Sequence, residues 1–182
     1  EQAANAAAVY TQSVVQAAPI LVTKDSLAAG GKIQAVIVNS ACANACTGER
    51  GLNDAYQMRN ETAKKLGIPE HYVAVASTGV IGEYMNMEKL LKGIQEIEYA
   101  CGPEYSNDFE SAILTTDTTV KNCAYSAVIG GSDVTIGGAA KGSGMIHPNM
   151  ATMLGFLTTD ANISSENLQQ ALALSVDSTF NQ

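Results

Sequence analysis

The stretch that decides the fold is Ala124-Tyr125-Ser126-Ala127-Val128-Ile129-Gly130-Gly131-Ser132-Asp133-Val134-Thr135-Ile136-Gly137-Gly138-Ala139. Two apolar runs, 124–129 and 134–139, flank Gly130-Gly131-Ser132-Asp133. That is a hairpin pattern, in which the glycines supply positive φ in the turn. A hairpin is antiparallel. Set among alternating strands and helices, it predicts a mixed sheet, and the expected class is α/β with layered sheets and helices.

Upstream, residues 35–38 read as a buried strand that feeds a loop over 40–51, rich in Ala, Asn, Cys and Gly. Ala55, Met58, Thr62, Ala63 and Leu66 then recur at helical steps. Glu61 and Lys65 are spaced for an i,i+4 pair, and Gly67 and Pro69 stop the helix. Residues 73–76 form a second strand that runs into Ser77-Thr78-Gly79-Val80-Ile81-Gly82. Asn86 caps the next helix, whose stripe is Met87, Leu90, Leu91, Ile94 and Ile97. Residues 108–114 supply one or two helical turns before Thr115-Thr116-Asp117-Thr118-Thr119. Downstream, Lys141-Gly142-Ser143-Gly144 leaves the hairpin and 153–158 is another strand. Ser164 or Ser165 caps a last helix with Leu168, Ala171, Leu172, Ser175 and Val176 inward.

The chain has 182 residues, 46% hydrophobic and 15% charged, an ordinary globular composition. Its net charge of −8 and pI of about 4.6 exclude the basic stripe that nucleic-acid binding needs. No apolar run reaches the roughly 20 residues that span a bilayer, and the N-terminus has no basic n-region. Cys42, Cys46, Cys101 and Cys123 read as buried or incidental thiols of a reducing compartment. Cys42 and Cys46 would share a face if helical. With His71 and His147 the only histidines, however, the ligand set for a metal is missing. Glu1 stands where a Met would start a chain, and 178–182 stop within an apolar pattern, so both ends look cut from a longer polypeptide.

Three stretches carry chemistry. In Gly142-Ser143-Gly144-Met145-Ile146-His147-Pro148-Asn149-Met150-Ala151-Thr152-Met153-Leu154, a flexible segment and a Pro-Asn turn deliver Thr152 to the start of a strand. A strand is a rigid mount for a nucleophile, although for an arbitrary Thr a plain β-branched strand residue is the commoner case. Ser77-Thr78-Gly79, between a strand and a helix, can present oxyanion-hole donors; the bland alternative is a turn glycine. Thr115 to Thr119 can hold the polar ends of an amino acid, or form an ordinary turn with a solvated Asp117. Lys141 can pair a substrate carboxylate, though a lone Lys is usually a solvated surface charge. Gly142-Ser143-Gly144 lacks Walker spacing, and there is no Gly-x-Ser-x-Gly elbow. His147, beside Pro148, reads as structural.

Together the motifs are far more specific than any one alone. Asn39-Ser40-Ala41-Cys42-Ala43-Asn44-Ala45-Cys46-Thr47-Gly48 resembles the Asn-Ser-Gly-x-Ala-Asn-Ala-x-Thr-Gly motif of the ornithine acetyltransferase family, departing from it at Ala41. The Ser77–Gly82, Thr115–Thr118 and Lys141–Leu154 stretches also match, in family order. The resemblance covers nearly the whole chain, and a long C-terminal half of the family has no counterpart in it.

The resemblance implies an N-terminal-nucleophile-like (DOM-type) architecture and self-cleavage between Ala151 and Thr152. Residues 1–151 would be the α-chain portion and 152–182 the start of the β-chain. It implies that Thr152 is the nucleophile, that Thr78 and Gly79 stabilise the oxyanion, and that Thr115, Lys141 and Thr152 bind substrate. The activity implied is acetyl transfer from N-acetylornithine to glutamate in arginine biosynthesis, with acetyl-CoA left open as a second donor. No cofactor or metal is implied. The partner implied is the chain's own β-chain, in an αβ heterodimer assembling to a heterotetramer, in the cytoplasm, without nucleic acid or membrane. Two alternatives stay open: a related N-terminal-nucleophile amidase or aminopeptidase, and a non-catalytic half-chain.

Overall fold

The computed structural model describes residues 2–100 and 102–181. The thiol reading of Cys101 therefore lies outside the described residues, as do the terminal positions Glu1 and Gln182. Seven strands and five α-helices are present among the described residues, in the α/β class expected, but the hairpin lies in an antiparallel sheet separate from the parallel pair, so no single mixed sheet forms among them. The order is β1 (Ala4–Asn5), α1 (Ala18–Ala28), β2 (Lys32–Ile33), β3 (Ala35–Asn39), α2 (Gly48–Leu66), β4 (Val73–Ser77) and α3 (Met87–Glu96). Then follow α4 (Pro103–Ala112), β5 (Lys121–Ile129), β6 (Ser132–Lys141), β7 (Leu154–Thr159) and α5 (Ser165–Asp177).

Helix α2 is the crossover between two parallel strands. β3 and β4 pair in register from Ala35 opposite Val73 to Asn39 opposite Ser77. Val22 of α1, Ala55 and Met58 of α2, Val75 of β4 and Ile94 of α3 make the buried core over this pair. Helix α1 has no counterpart in the sequence reading. Its inner face is not purely apolar. The Ser26 hydroxyl donates to the Val73 carbonyl (2.9 Å), and Thr23 Oγ1 both donates to Val75 O (2.7 Å) and accepts from Val75 N (2.8 Å). The hydroxyls thus occupy backbone groups on the β4 edge away from β3, which would otherwise invite another strand.

Three further expectations change. Helix α2 starts at Gly48, inside the predicted loop, because Asn44 organises that entry. Asn44 is wholly buried; its Oδ1 accepts from Thr47 Oγ1 (2.7 Å) and its Nδ2 donates to Gly51 O (2.8 Å). Cys42 and Cys46 consequently sit in a loop, with Cys46 at φ 59°, and share no helix face. Cys46 and Cys123 are exposed and not buried thiols. Lys65 does not pair with Glu61: its ammonium donates to the Gln95 (2.7 Å) and Ile97 carbonyls at the end of α3, and Lys64 takes Glu61 (3.7 Å).

The hairpin forms as read and is longer than read, so Lys141 is the last residue of β6 and not part of the exit loop. Ile129 pairs with Ser132 across Gly130 (φ 60°) and Gly131 (φ 85°), the primed-turn geometry that glycine permits. β7 adds on the far side of β6, with Leu154 opposite Lys141. Helix α4 is 10 residues long, more than the one or two turns expected. In α5, only Val176 of the predicted inward set is buried, while Ser164 caps the helix as read. No helix among the described residues is long and apolar enough to cross a membrane.

A Cβ on Gly51 would fall 1.9 Å from Thr47 Oγ1 and 2.4 Å from Asn44 Oδ1. Gly51→Ala should therefore destabilise the full-length protein by about 1–3 kcal/mol, the usual cost of overpacking, read as a lower urea midpoint at unchanged slope.

Candidate active site

Two motifs that are far apart in the chain lie side by side. Thr78 N donates to Asn39 O (2.9 Å), Val80 N to Ala41 O (3.3 Å), Ala43 N to Val80 O (2.8 Å) and Gly82 N to Ala45 O (2.9 Å). The Asn39–Gly48 loop and the Ser77–Gly82 segment are thus laced together by backbone hydrogen bonds. Gly79 is the point of closest approach. It has φ 125°, and a Cβ there would meet the Ala41 carbonyl oxygen at 2.3 Å. Glycine is required both for the backbone angle and for the space. Among the described residues, no group accepts from the Gly79 N–H.

Lys141 gathers the remaining motifs. It is only 4% exposed, unlike the solvated surface lysine of the bland reading. Its ammonium donates to Thr78 Oγ1 (3.1 Å) and Thr115 Oγ1 (2.7 Å), reaching 63 and 26 residues along the chain. An ammonium has donors only, so both hydroxyls must accept, and each keeps its own proton for another acceptor.

Asp117 closes the cluster from the other side. Its side chain is 0% exposed, where the bland reading had it solvated. Oδ1 accepts from the Gly142 N–H (2.8 Å) and from the Lys121 ammonium, and Oδ2 lies 3.9 Å from Lys141 Nζ. Burial pushes this carboxyl up. The Lys121 and Gly142 hydrogen bonds and the Lys121 and Lys141 charges outweigh that and hold it below the usual carboxylate range. Thr116 Oγ1 donates to Ser143 O (3.2 Å), tying the same segment to the strand exit. Asp117 lies in the Thr115–Thr119 stretch that the sequence marks for substrate contact, but here it meets Lys141, Lys121 and the Gly142 amide; Lys121 has no place in the sequence reading. Their i,i+4 spacing, directly after two threonines, was the available signal.

Thr152 is placed by a different device. His147 and Ala151 exchange backbone hydrogen bonds (3.3 and 3.2 Å) around Pro148-Asn149-Met150, with Asn149 at φ 65° and Met150 at φ 57°. His147 is exposed, and its Nδ1 lies 3.2 Å from Pro148 O, a local turn contact. Thr152 follows, exposed and at φ 61°. It stands in a bend two residues before β7, not at the strand start as read, because the tight turn ends only at Ala151. Positive φ in a β-branched residue is an outlier. Register keeps Thr152 close to the cluster: Leu154 is opposite Lys141, and a Cβ on Gly142 would lie 3.2 Å from Met153 Cβ. Among the described residues, Thr152 makes no hydrogen bond to Thr78, Thr115 or Lys141. A shallow cleft of about 250 Å³ borders Asn149 and Met150 on the side of α5 and Tyr10. Burial pushes the Tyr10 phenol up to about 12. None of the cluster residues lines that cleft.

The ArgJ family model matches residues 1–182. The arginine biosynthesis bifunctional protein ArgJ of Geobacillus kaustophilus is 62% identical over 179 residues, covering 98% of this chain and 44% of that protein. ArgJ of Bacillus subtilis is 62% identical over 182 residues, covering 100% and 44%. The chain thus spans less than half the length of the curated relatives it matches. The crystal structure of argJ from Bacillus halodurans superposes with a TM-score of 0.80 at 56% identity, over 83% of this chain and 79% of that one. The ornithine acetyltransferase of Mycobacterium tuberculosis, crystallised with ornithine, gives 0.70 at 34% identity, over 85% and 79%. Fold and neighbours define a mixed α/β protein of the ornithine acetyltransferase structural class. The chain belongs to the ArgJ family.

The lowered Asp117 carboxyl fixes the sign of one pH effect. A group depressed on folding stabilises fully above its unfolded value of about 3.9, and that contribution is lost as pH falls through the folded value. Between pH 6 and pH 3 the urea midpoint of Asp117→Asn should therefore fall less steeply than that of the wild type. Parallel slopes would remove Asp117 from the acid limb.

Proposed function

We propose that this chain is the part of an ornithine acetyltransferase that contains the self-cleaving junction and its nucleophile. The observation that carries this reading is the convergence of Thr78 and Thr115 on buried Lys141, beside the Ala151–Thr152 junction with its strained threonine. Residues 1–151 are the α-chain portion, and 152–182 begin the β-chain.

The left-handed backbone of a non-glycine residue costs on the order of 1–3 kcal/mol. Cutting the peptide at Thr152 releases that strain. In the cut, Thr152 Oγ bonds to the Ala151 carbonyl carbon while the C–N bond breaks and the nitrogen takes the hydroxyl proton. Water then opens the ester. The products are an Ala151 carboxylate and a free Thr152 α-amine. Such an amine titrates at about 7.7–8.0, so near neutral pH it can accept the hydroxyl proton, which a peptide nitrogen cannot.

Transfer uses the same oxygen. Thr152 Oγ attacks the acetyl carbonyl of N-acetylornithine, and its proton passes through the α-amine to the departing ornithine nitrogen. The Gly79 N–H and the Thr78 hydroxyl face the developing oxyanion as donors. The Thr78 hydroxyl is free to donate because its oxygen already accepts from Lys141. Glutamate's amine then attacks acetyl-Thr152, and the acetyl group leaves as N-acetylglutamate. Thr115 and the third N–H of Lys141 hold the polar groups of either amino acid. The acetyl group rides on the protein, and no cofactor takes part.

Two further findings support the reading. The solved argJ chain is 79% covered by only 83% of this chain, whereas curated ArgJ proteins are 44% covered by all of it. The crystallised polypeptide is therefore about half the length of a curated ArgJ, as expected of one product of a cut precursor. Also, Tyr125, Ile129, Ile136 and Leu157 share one face of the β5–β6–β7 sheet by register, and Tyr125 and Leu157 are 71% and 50% exposed. An apolar sheet face of that kind calls for a covering layer, which the remaining half of the polypeptide supplies in the αβ assembly. We place the chain in the cytoplasm, in line with the reducing-compartment reading of its thiols.

The test is the intact mass of the full-length protein beside Thr152→Ala and Thr152→Ser. Wild type should give two fragments, one beginning at Thr152, and should transfer acetyl from N-acetylornithine to glutamate. Thr152→Ser should cut and turn over slowly, and Thr152→Ala should do neither. Hydrolysis without transfer to glutamate would indicate an amidase, and an uncut wild-type chain a non-catalytic half.

A further inference from the structure

We infer that Asp117 is a positioning residue: it anchors Lys141 and the Gly142 amide so that the Thr78 and Thr115 hydroxyl protons point away from the lysine and toward substrate, an inference that rests on the oxyanion reading of Thr78. Four observations lead there. The Asp117 side chain is fully buried. Oδ1 is held by the Gly142 N–H and the Lys121 ammonium. Among the described residues Oδ2 has no hydrogen-bond partner, yet it faces Lys141 Nζ at 3.9 Å. Lys141 in turn gives N–H bonds to Thr78 and Thr115.

The logic is one of donor direction. A protonated lysine forces each threonine oxygen to accept. A neutral amine has a lone pair, and a hydroxyl would then turn its proton inward to meet it. Keeping a buried lysine charged requires a nearby opposite charge. Asp117 is the carboxylate that meets Lys141 in the cluster. Lys121 adds a second positive charge on the same oxygen pair, so removing Asp117 leaves two cations facing each other across the space it filled. The Gly142 bond has a second consequence. Gly142 follows Lys141 directly, and a Cβ on it would lie 3.2 Å from Met153 Cβ. The carboxylate thereby also fixes the strand exit against the residue that follows Thr152. Asp117 touches neither substrate nor the reacting atoms in this scheme; it acts through Lys141 and Gly142.

The experiment compares Asp117→Asn, Lys141→Met and the double variant in the full-length protein, beside the wild type. Asp117→Asn should lower kcat about 100-fold, the scale of one lost oxyanion donor, and should raise KM as well, because Lys141 and Thr115 hold the substrate's polar groups in this reading. In the Lys141→Met background the same change should cost less than about threefold more, because the two residues act as one unit. Asp117→Glu, which keeps the charge, should recover part of kcat. Independent, multiplicative losses, or an Asp117→Asn enzyme within about threefold of wild-type kcat, would overturn the inference while leaving the transferase reading intact.

A readout that does not depend on activity accompanies these. Amide exchange at Gly142 should speed at least about tenfold in Asp117→Asn, the loss of a charge-assisted hydrogen bond. The Lys141 ammonium signal in a proton–nitrogen correlation spectrum, assigned by its absence in Lys141→Met, should move or vanish. Unchanged Gly142 exchange and an unchanged ammonium signal would overturn the inference even if the wild type proved inactive. If Asp117→Asn alone does not fold, Gly142 amide exchange in the double variant against Lys141→Met decides it: faster exchange in the double variant supports the anchor on Gly142, and equal exchange overturns it.

Discussion

One buried ammonium holds this structure's chemistry together. Lys141 ends β6, Thr78 leaves β4 and Thr115 leaves α4, and the three meet only because a single cation satisfies two hydroxyl oxygens and faces a carboxylate. Burying a charge is expensive unless it is paired and hydrogen-bonded. The arrangement is also one of the few links between two packing units. The β3–β4 pair with α1, α2 and α3 forms one, and β5–β6–β7 forms another, and no helix of the first lies extensively on a strand of the second. Several other ties are polar. Asn5 Nδ2 donates to Ile163 O (2.7 Å), Ser165 Oγ to Gly31 O (2.6 Å), and Ala8 N to Gln169 Oε1 (3.2 Å).

Such a division follows from what each unit buries. The first unit has a hydrophobic core with Val22, Ala55 and Met58 at its centre and is satisfied by itself. In the second, one sheet face carries Lys141, Ala139 and Phe156, met in part by Phe109 of α4 at a ring distance of 5.4 Å. The opposite face is apolar and open. A sheet with one apolar face open still has apolar area to remove from water. Thr78, Thr115 and Lys141 sit on the seam between the two units, where sequence-distant segments converge.

How much of this was legible in the sequence depended on what kind of force set each element. The hairpin, β3, β4, α2 and α3 are written in periodicity and turn chemistry, and the glycines and Asn86 mark their ends. Helix α1 was not legible, because its inner face uses Thr23 and Ser26 to hydrogen-bond a strand edge. A hydroxyl facing inward looks like a break in an apolar stripe. The start of α2 was hidden for a similar reason: Asn44 and Thr47 read as loop residues until their mutual hydrogen bond shows that they close a buried turn. At the site, Thr78, Gly79, Thr115, Lys141 and Thr152 were picked out by motif. The carboxylate between the two lysines was not, since a Thr-Thr-Asp-Thr run has the composition of a solvated turn. Burial is a tertiary fact, and no local pattern announces it.

The same point bears on Thr152. Its side chain alone is unremarkable, and a Thr before a strand is common. What sets it apart is backbone geometry imposed from both sides. His147 and Ala151 close a three-residue turn, and Met150 N is held by Asn181 Oδ1 at 3.2 Å. Leu154 is fixed two residues later by its pairing with Lys141. Between those anchors the chain bends at Thr152, and the positive φ falls there. A glycine would accommodate that turn without strain, but it would bring no hydroxyl. The chain keeps the threonine there and bears the strain, which on the proposed reading is relieved when the Ala151–Thr152 bond is cut.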